Sequence, residues 1–488
     1  MRALVSVSAI VVLVGCSAPK SDAPAGATTA AAPATMTITS KSPDAVAHLK
    51  KGEILQVNQR TSEAVAEFDA ALKLDPDFTL AHAAHGAATP GPDGLKEIEA
   101  AASAASALPV AERSLIEGVL AQRQGEIGKA RAAFTSLTAA APGDWRGHHL
   151  LGVLLLGVSD YAGAVPELRK AIELDAAVGG ASNMLGYAAL QQGDVEAAIK
   201  AFNDYAGMLP TEPNPQDSLG EALLAAGRFA DAEAAFRKSL ELSPEFFSGW
   251  DGIAYTKHFA GDAAGARDAL VKEKAVASRP IDKLGADEVR AMMMVAQGKT
   301  AEGLALYASL DNTPDAMPLS AYIPLRRSLL LIGIGRSREA MPLIAAAIKR
   351  ADGGELPPGF AANLRRFALR TRAAAESAAG DGAAAQQTAM LLEQEAAGRK
   401  DDVNAQTGMH YALGMAALAK RDYPAARDHF AQCLARDWTC RLQLVGAAEK
   451  AGDAGAADAA RQAILKLYVR DPGYVWVRSR LEAKPSKS

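Results

Sequence analysis

The chain has 488 residues, a formal net charge of −4 and 5% aromatic residues, while Ala alone, at 108 residues, makes up about 22% of it. So few aromatic residues disfavour a β-sandwich or barrel, the mild acidity disfavours general nucleic-acid binding, and 3 Cys are too few for the disulfide framework of a small secreted domain. Abundant Ala, the strongest helix former, points instead to helices packed at close range, with 49% hydrophobic content ample for a core.

Met1-Arg2 brings one positive charge, and Ala3 to Val14 is an apolar run too short to span a bilayer. The run ends Leu13-Val14-Gly15-Cys16, which resembles a bacterial lipoprotein signal with its lipobox. The resemblance implies that 1–15 is a signal peptide and that Cys16 is lipidated, palmitate being one of its acyl chains. The chain would then be held on a membrane without a transmembrane helix. Ser17 stands where an Asp would mark inner-membrane retention, so the resemblance points to the outer membrane, facing the periplasm. The other reading is an ordinary signal peptide with a chance Cys. Residues 16–44, beginning with the lipidated Cys, are rich in Ala, Pro, Ser and Thr without a hydrophobic period and read as a flexible tether.

From residue 45 the chain repeats. Gly118, Gly152, Gly186 and Gly220 recur every 34 residues, and Ala254 continues the series. Twelve residues after each stand Ala130, Ala164, Ala198, Ala232 and Ala266, and four further on Phe134, Leu168, Phe202, Phe236 and Leu270. Pro142, Pro210 and Pro244 close three of these units, and Gly52, Leu55, Ala64, Phe68 and Pro76 make an earlier one in the same frame. The pattern resembles the tetratricopeptide repeat (TPR), a helix-turn-helix unit. Small residues sit where the two helices touch, bulky ones fill the space between hairpins, and Pro ends the second helix. Gly125-Glu126, Gly193-Asp194, Gly227-Arg228 and Gly261-Asp262 read as the turns. Residues 79–110 read as a shortened unit, with a first helix over 80–88 and a second over 95–108.

After 280 the pattern diverges. Gly298 (with Ala291 and Tyr307), Gly335 (with Ser328, Ala340 and Ile344) and Gly380-Asp381 (with Ala373, Ala385 and Ala389) mark further units. Gly414 (with Ala426, Phe430 and Cys433) and Gly452-Asp453 (with Ala457 and Ile464) mark the last two, and 468–481, aromatic and basic, reads as a capping helix on the end of the stack. The expectation is an all-α TPR solenoid, a right-handed superhelix of about eleven hairpins, with a TPR array over 45–280 and divergent TPR-like repeats over 281–482.

Catalytic signatures are scarce. The chain has no His-Glu-x-x-His and no Gly-x-Ser-x-Gly; Gly298-Lys299-Thr300 lacks the upstream Gly of a phosphate loop, and Gly333-Ile334-Gly335 follows no strand. His82 and His85 share a helical face without a third ligand in view, so no metal or cofactor is expected. Cys433 and Cys440 flank a short turn and are either bridged or two buried thiols.

In TPR arrays the first helices line a groove, and ligand contacts come from set positions of each unit. On this sequence the resemblance carries those positions onto Asn183, Tyr187, Gln191, Asn214, Asp217, Glu221, Asp251, Tyr255 and His258. Their amides and rings suit an extended peptide; a solvated helix face is the plainer reading. Where chaperone-binding TPR domains clamp a carboxylate, this chain has Asp217, Glu221 and Asp251, which favours a neutral or basic peptide. The expected function is a non-enzymatic, lipid-anchored scaffold or adaptor at the bacterial envelope, binding proteins or peptides through this face and the membrane through Cys16, with no nucleic acid. The alternatives are an accessory or regulatory subunit of an envelope enzyme or assembly machine, and a hydrolase with an unrecognised site in the C-terminal half.

Overall fold

The computed structural model describes residues 35–311, 313, 319–400, 402–434 and 437–482. The expected signal peptide, Cys16 and the tether as far as 34 lie outside the described residues. Within them there are 25 α-helices and no strand, and the helices pair into an all-α solenoid of hairpins. In order they are α1 Pro43–Val57, α2 Thr61–Leu74, α3 Thr79–Ala88, α4 Pro92–Ala104, α5 Val110–Arg123, α6 Ile127–Ala140, α7 Trp145–Gly157, α8 Tyr161–Leu174 and α9 Gly179–Gln192. They continue with α10 Val195–Met208, α11 Pro213–Ala225, α12 Phe229–Leu242, α13 Phe247–Phe259, α14 Ala263–Val276, α15 Pro280–Ala296, α16 Thr300–Ser309, α17 Leu319–Gly333 and α18 Ser337–Asp352. The last are α19 Pro358–Ala378, α20 Gly382–Ala397, α21 Val403–Ala419, α22 Tyr423–Ala431, α23 Trp438–Lys450, α24 Ala454–Leu465 and α25 Pro472–Glu482. Odd and even helices form twelve hairpins, with α25 left over.

The hairpin geometry follows from three positions. Gly52, Gly118, Gly220 and Gly414 press on the rings of Phe68, Phe134, Phe236 and Phe430, each in the second helix of the same hairpin. A Cβ on Gly118 would lie 2.3 Å from Phe134 Cε1, and one on Gly414 2.6 Å from Phe430 Cε1. Phe236 also meets Gly252 of the next hairpin, so the bulky residue both closes its own hairpin and seats the following one. Ala130, Ala164, Ala198, Ala232 and Ala266 are buried, as are the late-repeat residues Ala291, Tyr307, Ala340, Ile344, Ala373, Ala385, Ala389, Ala426 and Ile464.

The turn is the third device. Gly125, Gly193, Gly227, Gly261, Gly298, Gly335, Gly380 and Gly452 all have φ between 74° and 85°, a conformation that Gly adopts without the Cβ penalty. Gln59, Ser159 and Arg421 take the same place at φ of 65°, 68° and 61°. An Asp follows in six hairpins. Asp160, Asp194, Asp262, Asp381, Asp422 and Asp453 each accept a backbone N–H from the first turn of the second helix, meeting donors that the helix leaves unpaired.

The described residues divide into two compact units, one up to Ala188 and one from Ala189. In the first, α1 approaches the start of α9. Asn58 accepts a hydrogen bond from the Gly180 N–H at 3.0 Å and donates one to the Ala177 carbonyl at 3.0 Å. Gly180 is required there, since a Cβ would fall 2.0 Å from the Val57 carbonyl oxygen.

In the second unit α25 packs mainly on α15 and touches α23 and α24 less. The sequence placed this helix as a cap on the end of the stack. Its ring residues have partners on both sides: Tyr474 packs between Trp438 of α23 and Phe259 of α13, and Trp476 meets Gly333 of α17.

Candidate binding faces

The segment before α1, within the stretch read as tether, is seated on the first unit. Met36 is buried, and its N–H donates to Asp144 Oδ2 at 3.1 Å. The Thr39 N–H donates to both Glu112 oxygens at 3.2 Å, and the Lys41 N–H to Asp75 Oδ2 at 2.9 Å. Three carboxylates, one just after α2, one on α5 and one just before α7, thus accept from the backbone of this non-helical stretch, a register that side-chain composition does not reveal. Burial pushes the Glu112 carboxyl up, and the Thr39 contact only partly offsets it. The Ser40 hydroxyl and the Lys41 N–H hold Asp75 below the usual carboxylate range. Behind them Arg146 pairs with Glu53 at 2.6 Å and Asp144 at 3.0 Å. Burial opposes its charge, but the two carboxylates more than offset that, and its pKa is raised.

In the second unit α11 and α13 bring Asp217 and Asp251 together. Both carboxylates are buried, and Arg470, in the loop between α24 and α25, lies between them. Its Nη1 is 3.1 Å from Asp217 Oδ1 and its Nε 3.1 Å from Asp251 Oδ2. Nη2 donates to Ser248 Oγ at 2.6 Å, and Ser248 donates to Asp217 Oδ2 at 2.9 Å. The guanidinium also faces the Phe236 ring, 5.4 Å from its centroid. Two residues earlier, the Tyr468 N–H donates to the Ala225 carbonyl, and its ring packs edge-on against Phe229 and Phe259 at 4.9 and 5.3 Å. The Arg478 guanidinium stacks on the same ring at 3.9 Å.

The other residues carried over from the resemblance lie on α9, α11 and α13. Asn183 is buried in α9; Tyr187 and Gln191 are half-buried on the same helix. Asn214 donates to the Tyr205 hydroxyl at 3.1 Å. Glu221 is half-buried on α11. Tyr255 is 1% exposed and lies against Phe259, so it builds the wall behind the face. His258, pushed down to about 4 by burial, lines a cavity of ≈ 100 Å³ with Phe259, Tyr468, Val475, Arg478, Ser479 and Glu482. Asp217 and Asp251 are a carried-over pair that converges, on Arg470. Sequence reasoning missed their partners Ser248 and Arg470. The tail's aromatic and basic composition was the available signal, but nothing local in sequence links it to α11.

The remaining candidates resolve locally. His82 and His85 both pair with Glu97 of α4, at 2.9 and 2.7 Å, and no group of three or more metal-ligating side chains occurs among the described residues. Gly298-Lys299-Thr300 is the α15–α16 turn. Cys433, just beyond α22, and Cys440, in the first turn of α23, are joined as a disulfide with Cα atoms 6.2 Å apart.

The tetratricopeptide-repeat family model matches residues 115–177, 149–213 and 218–245. The chain carries tetratricopeptide repeats. No curated protein matches it in sequence. Among solved structures, MamA is 20% identical, covering 34% of this chain and 91% of its own, with a TM-score of 0.31. MamA from Desulfovibrio magneticus RS-1 is 18% identical over 34% of this chain and 94% of its own, TM-score 0.32. YrrB, described as a TPR protein with an unusual peptide-binding site, is 16% identical over 37% of this chain and 90% of its own, TM-score 0.29.

Proposed function

We infer that the chain is a non-enzymatic scaffold that binds other proteins or peptide segments through the faces of its first helices. The observation that carries this reading is that both units already hold a non-helical stretch of polypeptide. Residues 36–41 lie on Asp75, Glu112 and Asp144, and residues 468–470 lie on Asp217, Ser248 and Asp251. Surfaces that bind backbone N–H groups with carboxylates, and an arginine with two more, have the chemistry of neutral and basic peptide recognition.

The Cys16 motif supports a lipid anchor at the bacterial envelope, on the outer membrane facing the periplasm. Such a chain would act as scaffold or adaptor there, or as an accessory subunit of an envelope enzyme or assembly machine. Crosslinking in intact cells with the Cys16 anchor in place, followed by affinity capture, tests the binding role. A discrete partner supports it, and recovery of the chain alone sinks it. Membrane fractionation of Cys16→Ala tests the anchor, which fails if the variant stays in the membrane fraction.

A further inference from the structure

We propose that the Asp217–Ser248–Asp251 face is the seat for a partner protein's extended segment carrying an aromatic residue two positions before an arginine, and that the chain's own Tyr468-Val469-Arg470 occupies this seat until the partner displaces it. The proposal deepens the protein-binding reading and rests on it.

The occupant's chemistry is written in the seat. Two carboxylates and a hydroxyl are arranged around one guanidinium, which Lys could not fill equally, since an ammonium lacks the planar fork that engages Asp217, Asp251 and Ser248 together. The aromatic slot between Phe229 and Phe259 is set by the spacing of α12 and α13, and Gly227 opens it: a Cβ there would lie 3.1 Å from Tyr468. The Tyr468 N–H bond to the Ala225 carbonyl is a backbone contact that any extended segment can supply.

The occupying stretch differs from the helix after it. Residues 466–471 form a connection without helix between α24 and α25; α25 is anchored by buried Tyr474, Val475 and Val477, and its Tyr474 hydroxyl and Arg478 Nη1 hold the Leu467 carbonyl beside the seat. Displacing Tyr468 and Arg470 therefore breaks the Arg478–Tyr468 stack, while the Leu467 carbonyl stays tied to α25. A tail tethered on the same chain competes at an effective concentration of roughly millimolar, so a partner must exceed that to bind.

The probe is a fluorescently labelled, end-capped peptide of residues 466–471, Lys-Leu-Tyr-Val-Arg-Asp, titrated by anisotropy into the full chain. Expected is binding at least tenfold tighter to the Tyr468→Ala, Arg470→Ala double variant than to wild type, with citrulline in place of the peptide's arginine losing that gain. Equal binding to both proteins, or indifference to citrulline, overturns the proposal. Should the variant lose helicity, amide exchange on the wild-type chain decides. Millimolar peptide must speed exchange at 468–470 while 474–477 stays protected, and no change overturns the proposal. A wild-type dimer that dissolves in the double variant would assign the seat to a second copy instead, and also overturns it. Failure on all counts leaves Arg470 as a structural lock, while capture of partners from cells still tests binding through other faces.

Discussion

Replacing Gly118 by Ala probes the contact that sets the repeat. The added Cβ would stand 2.3 Å from Phe134 Cε1 and 2.6 Å from Cδ1, well inside the ordinary carbon–carbon separation of about 3.5–4.0 Å. Phe134 is fully buried, so its ring cannot swing to solvent, and overpacking of this kind costs about 1–3 kcal/mol. Ala in a helix interior recovers about 1 kcal/mol over Gly, leaving a net loss of up to about 2 kcal/mol. Gly128, in α6 of the same hairpin, has no atom within 4 Å of its would-be Cβ. Its Ala variant should therefore stabilise by up to about 1 kcal/mol. Because repeat arrays open in segments, the readout is amide exchange of α5 and α6 alongside urea unfolding followed by circular dichroism. Adding Phe134→Leu to Gly118→Ala should cost less than Phe134→Leu alone, since the ring is what the methyl meets. Equal stability changes at 118 and 128, or no such coupling, would refute the glycine–ring account of the hairpin.

Other outcomes rest on single features. Ser159→Gly and Arg421→Gly, at φ of 68° and 61°, should each stabilise their hairpin by about 1 kcal/mol, measured by local amide exchange; a loss at both would refute the turn reading. Denatured, non-reduced protein should show no reactive thiol at Cys433 or Cys440, and Ser at both positions should cost about 2 kcal/mol for a loop spanning 7 residues; two reactive thiols would rule out the bridge. Burial depresses His149 to about 4 in the folded state, against about 6.5 when unfolded. The unfolded chain thus binds the proton more readily between those values. Stability is full above about pH 6.5 and falls as pH drops towards 4, by on the order of 3 kcal/mol. His149→Leu should flatten that part of the urea-midpoint profile, and an unchanged slope would contradict the assignment.

Most hairpins were legible because they rest on local positions at fixed spacing: a small residue, often Gly, an Ala twelve residues on, a bulky residue four further, and a turn residue with positive φ. Gln59, Ser159 and Arg421 were harder to see, since they fill the turn position without being Gly. What the pattern could not show is pairing at long range. Arg470 reaches Asp217 across 253 residues and Met36 reaches Asp144 across 108. Periodicity says which positions face the groove, but not that residues 36–41 and 468–470 lie on those faces. Tyr255 stands at a ligand position of the repeat yet is buried against Phe259, because the tail's aromatic residues deepen the core there.

The binding claim is tested most directly by placing a photo-crosslinking amino acid at Glu221, beside Asp217 on α11, and, separately, at exposed Lys238 on the outer helix α12, in cells that retain the Cys16 anchor. The predicted result is a discrete protein adduct from position 221 alone, stronger when Tyr468 and Arg470 are both Ala. Adducts of equal yield from both positions, or none from either, would contradict it.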